Sequence, residues 1–172
     1  SGVNLKDGKI YAAKGQKVVN TDEDKKGNVV SGTFTIENIA ANIAFNVQDG
    51  SHQYFWQFRS DSKTLKKHTQ IGNNIAVYGA EVPIVLNDGE NTFLIATVGD
   101  KIYTYLNDEL IDVCDVNKEL PTSGGFGIRN GGSESSYISN LNVGSNLKYT
   151  VSTTVTAEEK VQVNKNFLNK TI

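Results

Sequence analysis

Apolar and polar residues alternate with period two in short runs along most of the chain. Clear alternation occupies residues 33–36, 42–47, 54–59 and 101–106, and further strand-like runs occupy residues 92–98, 110–113, 125–129 and 137–143. Residues that accept a positive φ stand between them, as in Asp49-Gly50 and Asn130-Gly131-Gly132. Roughly ten short strands at this spacing predict an all-β fold, a two-sheet antiparallel β-sandwich of the jelly-roll kind.

The run at 54–59 indicates which side chains face inward. One face would carry Tyr54, Trp56 and Phe58, and the other Phe55, Gln57 and Arg59. Three aromatic rings suit a core, whereas a buried arginine or glutamine would need its own partners. We therefore expect Gln57 and Arg59 to point to the solvent side of a central sheet.

Two other runs predict which side chains share a face of a strand and where the chain turns. In 42–47, the alternation places Ile43, Phe45 and Val47 on one face. Residues 92–113 predict a three-stranded meander, with two-residue turns at Gly99-Asp100 and Asn107-Asp108.

A single segment, near the end of the chain, carries a helix signal. Thr156 and Glu159 fit a capping box, and an alternating run precedes them. We therefore divide the chain into a β-sandwich over residues 1–145 and a segment over residues 146–172. The second segment is either a short strand and helix appendage or the start of a neighbouring module.

Composition narrows the function classes. The chain has 172 residues, 38% of them hydrophobic, and a formal net charge of −2. It lacks the basic stripe typical of nucleic-acid binding and any apolar run of the ~18 residues that span a membrane. The single cysteine excludes an intrachain disulfide. The chain begins Ser1-Gly2-Val3 without methionine, which favours an excised or processed fragment.

The candidates for catalysis are weak. His52 and His68 are the two histidines, and neither accompanies a nucleophile motif. Cys114 lies among acidic residues, which raise a thiol pKa rather than activate it. Asp108 and Asp112 have the spacing of a glycosidase pair but follow a turn, so we expect them to be solvated edge charges. No catalytic residue and no cofactor is predicted, and a structural calcium held by loop carbonyls stays open.

Five segments in order carry a family resemblance: residues 54–59, 65–68, 103–112, 125–129 and 134–143. Their order resembles the concanavalin-like, laminin-G-type jelly rolls of bacterial glycoside hydrolases, especially the family 66 carbohydrate-binding modules, known for fructan binding. Similar domains occur in bacterial α-L-rhamnosidases. The resemblance covers about residues 8–144. One departure is Ser139-Asn140, where that family often has an Asp-Asn pair.

The resemblance implies a sugar bound at one surface of the sandwich. Sugars are recognised by planar donors and acceptors together with an aromatic surface, which gives these candidates: Gln57, Arg59, Lys66, His68, Arg129, Glu134, Trp56 and Tyr137. Each has a structural alternative. Arg59 could form a surface ion pair, Arg129 and Glu134 could pair to close the glycine loop, and Trp56 could belong to the core.

The sequence therefore predicts a non-catalytic carbohydrate-binding module of a larger secreted or cell-surface bacterial protein, either a glycoside hydrolase or an adhesin. Its partners would be a glycan and neighbouring domains of the same polypeptide, at an extracellular or cell-surface location. Two alternatives stay open. One is a glycan-active enzyme using Glu134 and His68 as an acid–base pair, and the other is a spacer or protein-interaction domain. The sugar itself is unspecified: fructan, rhamnose-containing glycan and host glycan all fit.

Overall fold

The structure, a computed structural model, describes residues 3–6, 8–21 and 26–144. Over these ranges the chain forms fourteen β-strands and no helix. The strands are β1 (Val3–Lys6), β2 (Lys9–Ala12), β3 (Lys17–Asn20), β4 (Val29–Asn38), β5 (Ala40–Asp49), β6 (His52–Arg59), β7 (Thr64–Ile71), β8 (Asn74–Val77), β9 (Val82–Pro83), β10 (Glu90–Val98), β11 (Lys101–Leu106), β12 (Glu109–Asp115), β13 (Gly125–Arg129) and β14 (Ser135–Gly144).

The strands form two antiparallel sheets. The first sheet has the order β1-β2-β14-β4-β10-β11-β12. The second has the order β3-β13-β5-β6-β7-β8, and β9 also pairs with β7. One large apolar cluster draws residues from both sheets, so the prediction of a two-sheet antiparallel β-sandwich is confirmed.

The predicted meander over residues 92–113 is also confirmed. Strands β10, β11 and β12 pair in sequence order through the two short turns. Gly99, Asn107 and Asp108 all adopt positive φ there, at 60°, 50° and 66°. Glycine, asparagine and aspartate tolerate this conformation better than other residues, which is why the turns form at these positions.

Trp56 lies at the centre of the core. Its side chain is 0% exposed, and its ring meets Phe45 edge-on at 4.7 Å between centroids. The indole Nε1 donates a 2.8 Å hydrogen bond to Oγ1 of Thr104, which is equally buried. This satisfies the one polar atom of the ring. The prediction that Trp56 stacks on a ligand is therefore wrong, because its inward position leaves no surface for one.

A β-bulge at Asn46 changes the faces of β5. Ile43 and Phe45 point into the core as predicted, but Asn46 has a positive φ of 47° and the pairing register shifts after Phe45. Val47 consequently packs against Phe55 on the opposite side of the sheet. The expectation that Val47 shares a face with Ile43 and Phe45 is wrong for this reason, since one inserted residue reverses the alternation.

Asp112 is not the solvated edge charge that the sequence suggested. Its carboxylate accepts a 2.8 Å hydrogen bond from Nζ of Lys67, an inward-pointing residue of β7. The two side chains are only 14% and 5% exposed. The pair thus joins the second sheet to β12 of the first through a largely desolvated ion pair.

The predicted segment over residues 146–172, with its capping box at Thr156, lies outside the described residues. The boundary at residue 145 accordingly stays an expectation. In the part of the chain that the structure describes, no helix has the length and apolar character needed to cross a membrane.

Candidate functional site

Six of the eight candidate residues meet on the outer surface of the second sheet. The pairing register aligns Arg129, Asn42, Gln57 and Lys66 across strands β13, β5, β6 and β7. The same registers align Phe55 with His68 in the next row. Directly opposed residues of antiparallel strands project to the same side. We call this surface the polar face, and it consists of Asn42, Phe55, Gln57, Arg59, Lys66, His68, Arg129 and Glu134.

Glu134 joins the polar face from the loop that follows β13. Its Oε2 accepts 2.7 Å hydrogen bonds from the Gly131 backbone N–H and from Nδ2 of Asn42. Its Oε1 accepts a third, also 2.7 Å, from Nε2 of Gln57. A Cβ at position 131 would lie 2.8 Å from Oε2 of Glu134, so the glycine leaves room for this carboxylate. The loop, two strands and one acidic side chain are thereby held in one arrangement.

Arg59 extends the same network at the other end. Its Nη1 donates to Oε1 of Gln57 at 3.0 Å, so Gln57 links Arg59 to Glu134. The other guanidinium atoms bind both carboxylate oxygens of Asp61, at 2.9 and 2.6 Å. Arg59 therefore forms the ion pair that the sequence left open, and it keeps a place in the polar network as well.

Phe55 supports two polar groups from beneath. The ring is 1% exposed although it points away from the core, because neighbouring side chains cover it. The His68 ring stacks on it at 4.5 Å and 8°, and the Arg129 guanidinium lies 5.1 Å from its centroid. Stacking and cation–π attraction fix both polar side chains without using their hydrogen-bonding edges.

Two buried polar atoms under the polar face lack a hydrogen-bond partner among the described residues. Nδ1 of His68 and Oδ1 of Asn42 are buried and have no partner within the described residues. Burial, assisted by the charges of Lys66 and Arg129, lowers the pKa of His68 to about 4. His68 is therefore a neutral hydrogen-bonding group at physiological pH.

Arg129 and Glu134 do not pair with each other in the described chain. The carboxylate binds neutral amides instead, and the guanidinium rests on Phe55. Lys66 lies at the margin of the polar face, with its Nζ 3.9 Å from Oε1 of Glu81.

Tyr137 is not part of the polar face. It belongs to β14 of the first sheet, where its ring lies 5.1 Å from that of Tyr11. Nζ of Lys9 sits 4.6 Å from the centroid of the Tyr137 ring. The structure thus places Tyr137 on the opposite sheet, and the prediction that it joins the other candidates is wrong.

Three functional candidates were missed by the sequence reasoning: Asn42, Phe55 and Lys17. Asn42 and Phe55 become visible only once the pairing registers show which residues oppose Arg129 and His68. Lys17 on β3 pairs directly with Arg129 on β13. These segments are distant in sequence, so no local pattern could predict that the two residues are neighbours.

A cavity of about 420 Å³ adjoins the polar face at the end of the sandwich. It is lined on one side by Glu134 and the glycine loop, and on the other by Tyr11, Lys14 and Asn38.

The described residues offer little for catalysis. Burial chiefly, with nearby Asp112 and Asp115, raises the pKa of the Cys114 thiol to about 12, far from an activated nucleophile. Glu134 is the one carboxylate inside the polar network, and Asp61 at its margin is held by Arg59. Among the residues with defined positions, no group of three or more His, Cys, Asp or Glu side chains could hold a metal ion.

No protein-family model and no curated protein matches the chain. Among solved structures, it is similar to the carbohydrate-binding module CBM66 from Bacillus subtilis, with 14% identity and a TM-score of 0.67. That match covers 81% of this chain and 88% of the other. The fold is a jelly-roll β-sandwich.

Two further structures support this assignment. A Parabacteroides distasonis protein provisionally assigned as a glycosyl hydrolase has 16% identity and a TM-score of 0.57, covering 82% of each chain. Sheep galectin-11, solved with glycerol, has 6% identity and a TM-score of 0.55, covering 76% of this chain and 97% of the other. At these identities the similarity establishes the fold alone. At that level, the resemblance to family 66 modules stated from the sequence is confirmed.

Proposed function

We propose that this domain binds a carbohydrate on its polar face and does not cleave it. The observation that carries the proposal is the arrangement of Arg129 and His68 on Phe55, beside the network around Glu134. Both arginines of the chain, Arg59 and Arg129, lie on this one surface. Planar guanidinium groups suit the paired hydroxyls of a sugar ring.

The chemistry of the polar face fits a polyol. Arg129 offers donors, Glu134 has room for a further donor on its carboxylate, and neutral His68 offers a ring nitrogen. Val77 pairs with His68 across β7–β8 and is 54% exposed, so it presents apolar surface for the C–H side of a sugar. Such an open site makes few contacts, and we expect affinities from micromolar to millimolar, about −8 to −4 kcal/mol.

The wider setting of the proposal is a larger secreted or cell-surface bacterial protein, a glycoside hydrolase or an adhesin. The similar structures from Bacillus subtilis and Parabacteroides distasonis are described as a carbohydrate-binding module and a provisional glycosyl hydrolase, which supports this setting. A tethered module of this kind would keep its parent near the glycan and raise the effective substrate concentration.

The test is a glycan array followed by calorimetric titration of each positive sugar, with and without EDTA. Arg129→Ala should abolish binding, since it removes the guanidinium that has no acidic partner among the residues with defined positions. Lys9→Ala is the matched control, because Lys9 makes a similar cation–π contact with Tyr137 on the opposite sheet. It should leave binding intact. Normal binding by Arg129→Ala would refute the site, and a folded domain that binds no sugar would refute the function.

Hydrolysis is distinguished in the same experiment. The alternative assigns Glu134 and His68 as an acid–base pair, which would release product from a bound glycan. We expect no product release by the wild-type domain. Release that disappears in Glu134→Gln would establish an enzyme in place of a binding module.

A further inference from the structure

The positive charges of the polar face are unevenly neutralised. Arg59 is paired with Asp61, and Lys66 lies 3.9 Å from Glu81. Arg129, by contrast, has no acidic partner within 4 Å among the described residues, and its guanidinium lies 5.1 Å from the centroid of the Phe55 ring. Its charge is therefore the least compensated on this surface.

Lys17 adds a second cation next to it. Lys17 and Arg129 oppose each other directly in the β3–β13 register. Its ammonium donates 2.6 Å hydrogen bonds to two neutral oxygens, the Gly50 carbonyl and Oε1 of Gln70. Like charges directly opposed on one face of a sheet are destabilising. Partial burial first, and the charge of Arg129 second, lower the pKa of Lys17, in keeping with a locally positive potential.

Two described carboxylates on this side of the sheet, Glu134 and Asp49, are bound by other groups. Glu134 directs its oxygens to neutral amides. Asp49 opposes the effect of Arg129 on the Lys17 pKa, but its carboxylate is bound by Ser51 and His52 in its own turn. Among the residues that the structure describes, none supplies an anion to the edge of the Arg129 guanidinium, which is left as a site for an external one.

We propose that the bound glycan is acidic, and that its anionic substituent, a carboxylate or a sulfate, binds Arg129 beside Lys17. This inference rests on the proposed carbohydrate-binding function and specifies the class of sugar. Phe55 holds the guanidinium from behind, which leaves the planar fork open for two parallel hydrogen bonds to an oxyanion. Lys17 contributes a flanking positive charge, whereas His68, which shares the Phe55 ring with Arg129, is neutral and adds no charge.

Matched sugars that differ only in charge test the proposal. The probes are oligogalacturonate and its methyl ester, and a galactan oligosaccharide with and without sulfate. Because a hydrogen bond to a charged group is the stronger kind, we expect an acidic member to bind at least about tenfold more tightly than its neutral partner. The difference should shrink as NaCl is raised from 20 to 500 mM, conditions we choose to span weak and strong screening.

Variants locate the effect. Lys17→Gln removes the flanking positive charge. It should lower the affinity for the acidic sugar severalfold and leave the affinity for the neutral sugar unchanged. Lys9→Gln makes the same charge change on the opposite sheet and should alter neither. Thermal unfolding of each variant confirms that it is folded.

The outcomes separate the two proposals. Selectivity for the carboxylated or for the sulfated sugar supports the inference and identifies the anion. Equal affinity for charged and neutral sugars, or selectivity unaffected by Lys17→Gln, overturns it while carbohydrate binding stands. If no sugar of either kind binds to the folded domain, the proposed function itself fails, and this inference fails with it.

Discussion

Replacing Glu134 with glutamine tests how the polar face is organised, since the substitution keeps the shape of the side chain and removes its charge. The carboxylate accepts three hydrogen bonds of 2.7 Å, from Gly131, Asn42 and Gln57. A glutamine has one acceptor oxygen, so its amide nitrogen must face at least one of these donors. Gln57 cannot turn its own amide to compensate without losing the 3.0 Å bond that its Oε1 accepts from Arg59.

The magnitude follows from one lost hydrogen bond to a charged acceptor. Such a bond contributes about 1.5–3 kcal/mol. Gln57 is 7% exposed, so water can replace little of the hydrogen bond lost at its Nε2. Glu134 itself is partly exposed, so water can reach the new amide more easily. We expect Glu134→Gln to lower the free energy of unfolding by about 2 kcal/mol.

Urea unfolding at pH 7 measures this change, and Glu81→Gln provides the control. Glu81 loses the same charge, but it is 47% exposed and lies 3.9 Å from Lys66. A surface pair of this kind contributes at most about 1 kcal/mol. If Glu134→Gln costs no more than Glu81→Gln, the carboxylate does not organise the polar face and the reasoning given for it is refuted.

Three more changes probe the core, the bulge and the pH response. Thr104→Val leaves the Trp56 N–H buried without a partner and should cost about 1–3 kcal/mol in urea unfolding; a neutral result would contradict the role of that bond. Asn46→Ala loses a 2.8 Å bond to Thr97 and keeps a positive φ, so it should cost about 1–2 kcal/mol by the same measurement. Because the pKa of His68 is about 4 when folded and near 6.5 when unfolded, the unfolded chain binds the extra proton in that window. The melting temperature should therefore fall as pH drops from 6.5 to 4, and His68→Gln should flatten this slope; an unchanged slope would show that His68 is not its source.

The sequence predicted the fold well because alternation is a local property. The run at 54–59 correctly placed Trp56 inside and Gln57 and Arg59 outside. Because alternation placed Trp56 on the core face, it already opposed the separate prediction that Trp56 contacts the ligand. Alternation failed at Val47, where the bulge at Asn46 inserts one residue and exchanges the faces.

The site was harder to predict because it depends on pairings between distant segments. Arg129 and Lys17 become neighbours only when β13 lies beside β3. Tyr137 follows Glu134 by three positions, but β14 joins the first sheet while Glu134 folds back onto the second. Residue type indicated sugar chemistry, whereas the three-dimensional grouping of those residues required strand order.

The position of β14 has a consequence for biosynthesis. This strand, Ser135–Gly144, lies between β2 and β4 and pairs with both, although β4 is complete by Asn38. Roughly one hundred residues must be synthesised before β4 acquires that neighbour, about 5–20 s at ordinary translation rates. During this delay, one edge of a long and largely buried strand is open to wrong partners. The last of the described strands therefore completes the first sheet late, and we expect a ribosome-bound chain that stops short of β14 to expose this edge to aggregation.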